Sequence, residues 1–396
     1  MVHLGFATLL LGVSVAAHKH TASPKTYHIP SVPPSGPSKA QFAYDGLGAD
    51  APKVVPVNST SFDWWYFDVV STDPGDLSSV VVTFFTSTAT AFPSLDEGGS
   101  LTPVRIWGSY PNGTLWEAIG DSGKGATVVA DGDSSSGVWH GTGFSWNSTS
   151  PSTYTITIDA AELGISGTID FHSSSPGHLP CGPIEAECTT EVGPRIGWVN
   201  PVPDSDASVH LRVNGTHVNF TGAGYHDKNW SDIPFGATFQ SWYWGHGRFG
   251  PYSIVWFDLL DNDGKEHFSV YLAELEHKTR KLRVASCTAG SVKVRPQPNV
   301  YPPHLTTPDP TGYNIAVKDH DYGAGSIDIQ ATVLLPLVGA NPAYTRSFAK
   351  LTAEVEGKTY EGTAVLEQFK LRPYGCCSRT NYKIGIPFKH HLPGPK

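Results

Sequence analysis

The chain has 396 residues, enough for about two domains at roughly 150–200 residues each. Gly (41) and Pro (32) are abundant, charged residues make up only 16% and aromatics reach 11%, a composition that favours strands and turns over helices. A formal net charge of −9, with no basic run to track phosphates, argues against a nucleic-acid partner.

The N-terminus carries an apolar run, residues 4–17, with Val15 and Ala17 as the small residues that signal peptidase accepts. Residues 1–17 are therefore expected to be a secretory signal peptide, although no Lys or Arg precedes the run. No later apolar run approaches the ~18 residues of a membrane span. Residues 18–45 are rich in Pro, Ser, Lys and His and are expected to form a flexible arm.

From there the pattern has period two, broken by turns. The segments 62–68, 78–88, 102–120, 152–160, 164–173 and 208–225 read as strands and hairpins. The second half repeats this grammar at 237–246, 252–275, 281–287, 325–335 and 348–371. "FDWWYFD" before "VVVTFF" is echoed by "FQSWYWGH" before "SIVWFD", which implies two similar antiparallel β-barrels in tandem, 46–235 and 236–396.

Two features accord with a secretory route. N-x-S/T sequons occur at Asn58, Asn112, Asn147, Asn214, Asn219 and Asn229. Asn112 and Asn214 begin Asn-Gly-Thr turns, Asn147 lies in loop-like sequence, and these three with Asn58 are the expected glycosylation sites. Asn219 and Asn229 are expected to be unmodified. Cys181 and Cys188 flank a short Pro/Gly loop and are expected to pair, with Cys287 joined to Cys376 or Cys377. There is no CxxC and no paired-His spacing, so no metal site is expected.

The chemistry concentrates in two aromatic strands and one polar one. In "FDWWYFD" one face carries Phe62, Trp64, Tyr66 and Asp68, the other Asp63, Trp65 and Phe67. In "FQSWYWGH" alternation puts Phe239, Ser241 and Tyr243 on one face, and Gln240, Trp242, Trp244 and His246 on the other. Trp is awkward in a small barrel because its indole N–H needs a partner, so these rings point either to ordinary core or to a large aromatic pocket. In "GYHDKNW", Tyr225, Asp227 and Asn229 share one face, and His226, Lys228 and Trp230 the other. A carboxylate and an imidazole among aromatics are candidates for proton transfer. Lys228 and Asn229 serve equally well as a network tying strand ends together.

"FDWWYFD" followed by "GYHDKNW" resembles the lipocalin-like family that includes carotenoid 1,2-hydratases and fungal Diels–Alderases. Its motifs usually read F-E-W-W-Y-F and H-D-H-N-W; here Asp63 and Lys228 replace the commoner Glu and His, and Ser231 the commoner Gly. The resemblance spans most of the chain from about residue 50. It implies two lipocalin-like barrels, a substrate cavity at or near their junction, and no metal or organic cofactor. The signal peptide, sequons and cysteines are similar to those of fungal hetero-Diels–Alderases of tropolone–sesquiterpene pathways. That likeness implies dehydration to an o-quinone methide and its addition to a humulene-type sesquiterpene alkene. Positioning of two apolar partners, exclusion of water and hydrogen bonds to a carbonyl oxygen would then carry the catalysis.

On this reading Asp63, His226 and Asp227 are the acid/base residues. Gln240 and Tyr243 would donate to the oxygen, and Trp64, Trp65, Tyr66, Asn229, Trp230, Trp242 and Trp244 would contact substrate. A terpenoid-alkene hydratase and a non-catalytic secreted carrier are the alternatives. A glycoside hydrolase using Glu274 and Glu276 at i, i+2 is weaker, and no G-x-S-x-G supports a serine hydrolase.

Overall fold

The protein, seen in a computed structural model, is described over residues 23–132, 134–275, 281–318, 326–341 and 343–371. The signal-peptide residues, Glu276, Cys376 and Cys377 lie outside the described residues.

Two antiparallel sheets, each curled into a barrel, account for nearly all of it. The first is built from strands between Lys25 and Ser231; at its centre Ile196–Val213 pairs with Thr216–Ser231, which pairs with Phe62–Ser71 and then Ser79–Thr86. The second orders Lys281–Ser286, Glu266–Glu274, Tyr252–Asp261, Phe239–Phe249, Lys358–Lys370, Tyr344–Val355, Ser326–Asn341, Gly312–Lys318 and Val292–Gln297. Across its closing gap Asp258 Oδ2 accepts hydrogen bonds from Val294 N–H and Arg295 Nη1, each at 2.9 Å.

The aromatic strands are explained by where they lie. Phe62–Ser71, residues 222–231 and most of Phe239–Phe249 are buried on both faces. One face lines a barrel and the other packs on the opposite domain, so apolar residues run on without alternation. The outer strand Thr153–Ala160 has one wet face and alternates buried with accessible residues. Three large apolar clusters result, one inside each barrel and one between them.

Several Trp side chains lie over a cross-strand glycine. Gly197 pairs with Trp230 and Gly245 with Trp256. A Cβ at Gly197 would fall 2.0 Å from the Trp230 ring, and one at Gly245 2.2 Å from the Trp256 ring. Only glycine leaves space for the indole there.

The halves are tied by polar contacts as well. His246 Nε2 lies 2.8 Å from Asp68 Oδ1, both buried. Arg248 grips Asp204 through Nε and Nη2 at 3.0–3.2 Å and reaches Asp206 at 2.8 Å. Residues 174–195 stay joined to the first sheet, through His178 opposite Asn200 and Glu191–Gly193 beside Ile196–Val213, and lean on the second. His178 stacks on Tyr271 at 4.5 Å, and burial lowers its pKa to about 4. Pro180 O accepts from Ser269 Oγ at 2.7 Å.

Three expectations are corrected. Cys181 pairs with Cys287, not Cys188, so the disulfide joins the two domains and leaves Cys188 exposed and unpaired among the described residues. The short loop between Cys181 and Cys188 was a misleading cue, because the excursion carrying Cys181 is pinned to the other barrel. The arm is not all flexible: Lys25–Ile29 adds a strand to the first sheet beside Ala126–Asp131, and Lys39–Ala40 pairs with Val54–Val55. Finally, a register shift at Gln240 breaks the alternation, so Phe239 stacks on Trp242 instead of sharing the Tyr243 face. Among the sequon residues, Asn112, Asn147, Asn214 and Asn219 are exposed, Asn58 is half-buried with Nδ2 donating to Gly36 O, and Asn229 is buried.

Candidate active site between the barrels

Strand alternation sorts the predicted residues onto two sides of one wall. Trp64, Tyr66, Asp227, Asn229, Trp242 and Trp244 line a cavity between the barrels, joined by Trp107, Phe257, Tyr344, Arg346, Glu367 and Phe369. Water centres can occupy about 60 Å3 of it, within about 640 Å3 of atom-free space that includes its mouth. At about 10–15 Å3 per water centre this is a slot for a handful of waters, narrower than a typical ligand pocket.

Asp63, Trp65, His226 and Trp230 fall on the opposite side and do not reach this cavity. Asp63 is buried in the first domain, 2.5 Å from Lys228 Nζ, whose ammonium lies 3.4 Å from the centre of the Trp65 ring. Burial works against both charges, raising the Asp63 pKa and lowering that of Lys228 to about 8. His226 stacks on Phe67 at 3.9 Å and reaches Asp50 Oδ1 at 2.8 Å. Trp230 donates to Gln41 O at 2.7 Å under the N-terminal segment. Gln240 is turned away by the bulge, 3.4 Å from Asn262 O, and Tyr243 belongs to the core of the second barrel. Of the three predicted acid/base residues, only Asp227 faces the aromatic slot.

Asp227 is held by two donors on a single oxygen. Trp198 Nε1–H and Tyr225 O–H donate to Oδ2 at 2.8 and 2.9 Å, and neither uses Oδ1. Burial raises its pKa to about 8, with Glu367 and Asp68 adding like-charge repulsion. Burial thus favours its protonated form. Tyr225 is fixed in turn by stacking on His246 at 4.3 Å, while Tyr66 O–H donates to Asp68 Oδ2 at 2.7 Å. Burial holds the Tyr66, Tyr225 and Tyr344 phenols well above their ordinary pKa, so all three stay neutral.

Facing the acid is a group that sequence reading did not find. Glu367 Oε1 accepts from Tyr344 O–H at 2.5 Å and from Arg346 Nε at 2.8 Å. The Arg346 guanidinium lies 5.1 Å from the centres of the Tyr66 and Trp107 rings. These residues come from the last two described strands, which carry no aromatic motif. A buried Arg–Glu pair on neighbouring strands, "YTR" against "LEQ", was the available signal. Arg346 Nη1, Asn229 Nδ2 and Trp242 Nε1 are buried donors without a protein acceptor among the described residues. Asn229 Oδ1 accepts from Trp64 Nε1 at 3.2 Å, which orients that amide. The slot thus offers the Asp227 carboxyl, N–H donors that include these, and aromatic faces. No three His, Cys, Asp or Glu side chains are grouped as metal ligands among the described residues.

The chain belongs to the Diels-Alderase-like family, whose family model matches residues 36–287. It is 35% identical over 325 residues to the quinolone epoxide rearrangement protein asqO of Emericella nidulans, covering 81% of this chain and 87% of that one. A second protein of that description, penF of Penicillium thymicola, is 34% identical over 331 residues, covering 81% and 88%. The Diels-Alderase cheD of Chaetomium globosum is 26% identical over 224 residues, about half of each chain. Among solved structures, CghA with Sch210972 superposes with a TM-score of 0.69 at 17% identity over 88% of this chain and 99% of that one. Kievitone hydratase of Nectria haematococca reaches 0.53 at 14% identity, covering 86% and 98%. The fold is that of this family, two lipocalin-like barrels, and the family likeness supports an enzyme of the pericyclase kind.

Proposed function

We propose that the slot between the barrels performs an acid-assisted rearrangement of an epoxide carried on a flat, quinolone-type aromatic substrate. The observation that carries this reading is a buried carboxyl, Asp227, in the wall of an aromatic slot, with both of its protein donors on Oδ2. Asp227 passes its proton to the epoxide oxygen as a C–O bond breaks, giving a hydroxyl and a carbocation. The faces of the surrounding indoles and phenols stabilise that cation. A 1,2-shift or attack by an internal nucleophile then quenches it, and the proton released returns to the Asp227 carboxylate. The reaction is an isomerisation with no net change in atoms. Arg346 Nη1 and Asn229 Nδ2 are the donors for a ring carbonyl, and the narrow slot keeps water from trapping the cation.

Likeness at 34–35% identity to two quinolone epoxide rearrangement proteins favours this over a two-component cycloaddition. The test is incubation of the purified protein with a quinolone epoxide, with products resolved by chromatography and mass. An isomeric product at unchanged mass is expected; a product heavier by water would indicate a hydratase, and unchanged epoxide would overturn the reading.

The exposed Asn112, Asn147 and Asn214 and the interdomain disulfide support passage through the secretory route. Protein secreted from a fungal host should lose mass on treatment with an N-glycosidase; an unchanged mass would remove the glycosylation part of this proposal.

A further inference from the structure

We propose that the open end of the first barrel is a second ligand site, taking a small molecule with an apolar body and an N–H-bearing head. A cavity of about 500 Å3 lies there, far roomier than the slot between the barrels. The two are separated by the wall formed by Phe62–Ser71 and Thr216–Ser231, so that Asp227 faces one and His226 lies behind the other.

The polar groups at this end favour donors over acceptors. Asp50, in the cavity wall, accepts from Ser135 Oγ and Tyr154 O–H on Oδ2, each at 2.7 Å, and faces His226 Nε2 with Oδ1. These bonds hold its pKa down against burial, so it is a carboxylate. His226 Nδ1 sits 2.9 Å from Tyr66 O, so both ring nitrogens are turned to protein oxygens and away from the cavity. The hydroxyl hydrogens of Ser135 and Tyr154 are thus committed to Asp50, and that of Ser173 is committed to Ser175 O at 2.6 Å. What these three oxygens offer the cavity is lone pairs. Ser175 Oγ, in a residue only 2% exposed, lines the same cavity and has no protein partner among the described residues.

An acceptor-rich wall around a carboxylate selects an N–H head and rejects a carboxylate or phosphate. The lining also includes Pro151, Pro176, Pro183, Ile184 and Pro201, which suits an apolar body. The site stands apart from the reading of the slot between the barrels, because none of its residues lines that slot.

The test is calorimetric titration with benzylammonium, with benzyl methyl ether and benzoate as probes lacking the donor and carrying the wrong charge. Wild type should bind benzylammonium one to one, with the ether and benzoate at least tenfold weaker. Ser152, exposed at the cavity rim, permits a blocking variant: Ser152→Trp should abolish binding. Ser175→Ala should weaken it about three- to tenfold, the range of one neutral hydrogen bond. Both variants should keep wild-type melting temperatures and wild-type turnover in the other cavity. No binding of benzylammonium to wild type at millimolar concentration, equal binding of the ether, or undiminished binding to Ser152→Trp would each overturn the proposal.

Discussion

Replacing Asp227 by Asn tests the chemistry most directly. The amide keeps the shape and can still accept from Trp198 Nε1 and Tyr225 O–H through one oxygen, so the buried bonds on Oδ2 survive. What disappears is the proton. General acids contribute about 10²–10⁴ in rate, so kcat should fall by that factor, about 2.7–5.4 kcal/mol at 1.36 kcal/mol per tenfold. The wild-type pH profile should carry the same signature. Because the protonated form is the active one and burial raises its pKa to about 8, kcat should be level near neutrality and fall tenfold per pH unit well above 8. Asp227→Asn should lack that limb. Stability changes in the same sense: the folded pKa lies above the unfolded value of 3.8, so the contribution of Asp227 is full below about pH 4 and lost as pH rises through 8. The measurements are initial rates on a quinolone epoxide and thermal melts between pH 5 and 9. Wild-type kcat in the variant, or a basic limb that persists without the carboxyl, would refute the argument.

The other predictions concern binding and the frame. Arg346→Lys keeps a charge but loses the planar fork that engages Glu367 while leaving Nη1 for substrate; KM should rise about ten- to a hundredfold with kcat within a few-fold, as measured by steady-state kinetics. Reduction of Cys181–Cys287, or the double change to Ser, opens a loop closed across 106 residues; chain entropy puts the loss at up to about 4–5 kcal/mol, read from denaturant midpoints, whereas Cys188→Ser should change nothing. Gly245→Ala drives a methyl into the Trp256 ring and should destabilise by about 1–3 kcal/mol in the same unfolding assay, with Trp fluorescence altered. A midpoint equal to wild type would mean that the indole is not pressed against the strand.

Alternation along a strand is a local property, which is why so much of the site's layout was legible in advance. The division of Trp64 and Tyr66 from Asp63 and Trp65, and of Asp227 and Asn229 from His226 and Trp230, follows from the two-residue period alone. The aromatic runs left ordinary core and pocket wall open, and the structure shows strands covered on both faces. Where alternation failed, at Gln240, one extra residue in the strand was enough to move Phe239 to the other side. Which of two opposed faces would hold the cavity was not legible, since both are equally apolar in sequence; the packing of one barrel against the other decided it. The same packing joined Arg346 and Glu367 to Asp227, which stands more than a hundred residues earlier in the chain, and drew Cys181 to Cys287 past a nearer cysteine. Backbone geometry propagates over a few residues, so sequence specified the faces of the aromatic strands and the two-barrel plan. The pairing of distant surfaces depends on the whole folded shape, and only the tertiary structure placed Asp227, and not Asp63, in the wall of an aromatic slot.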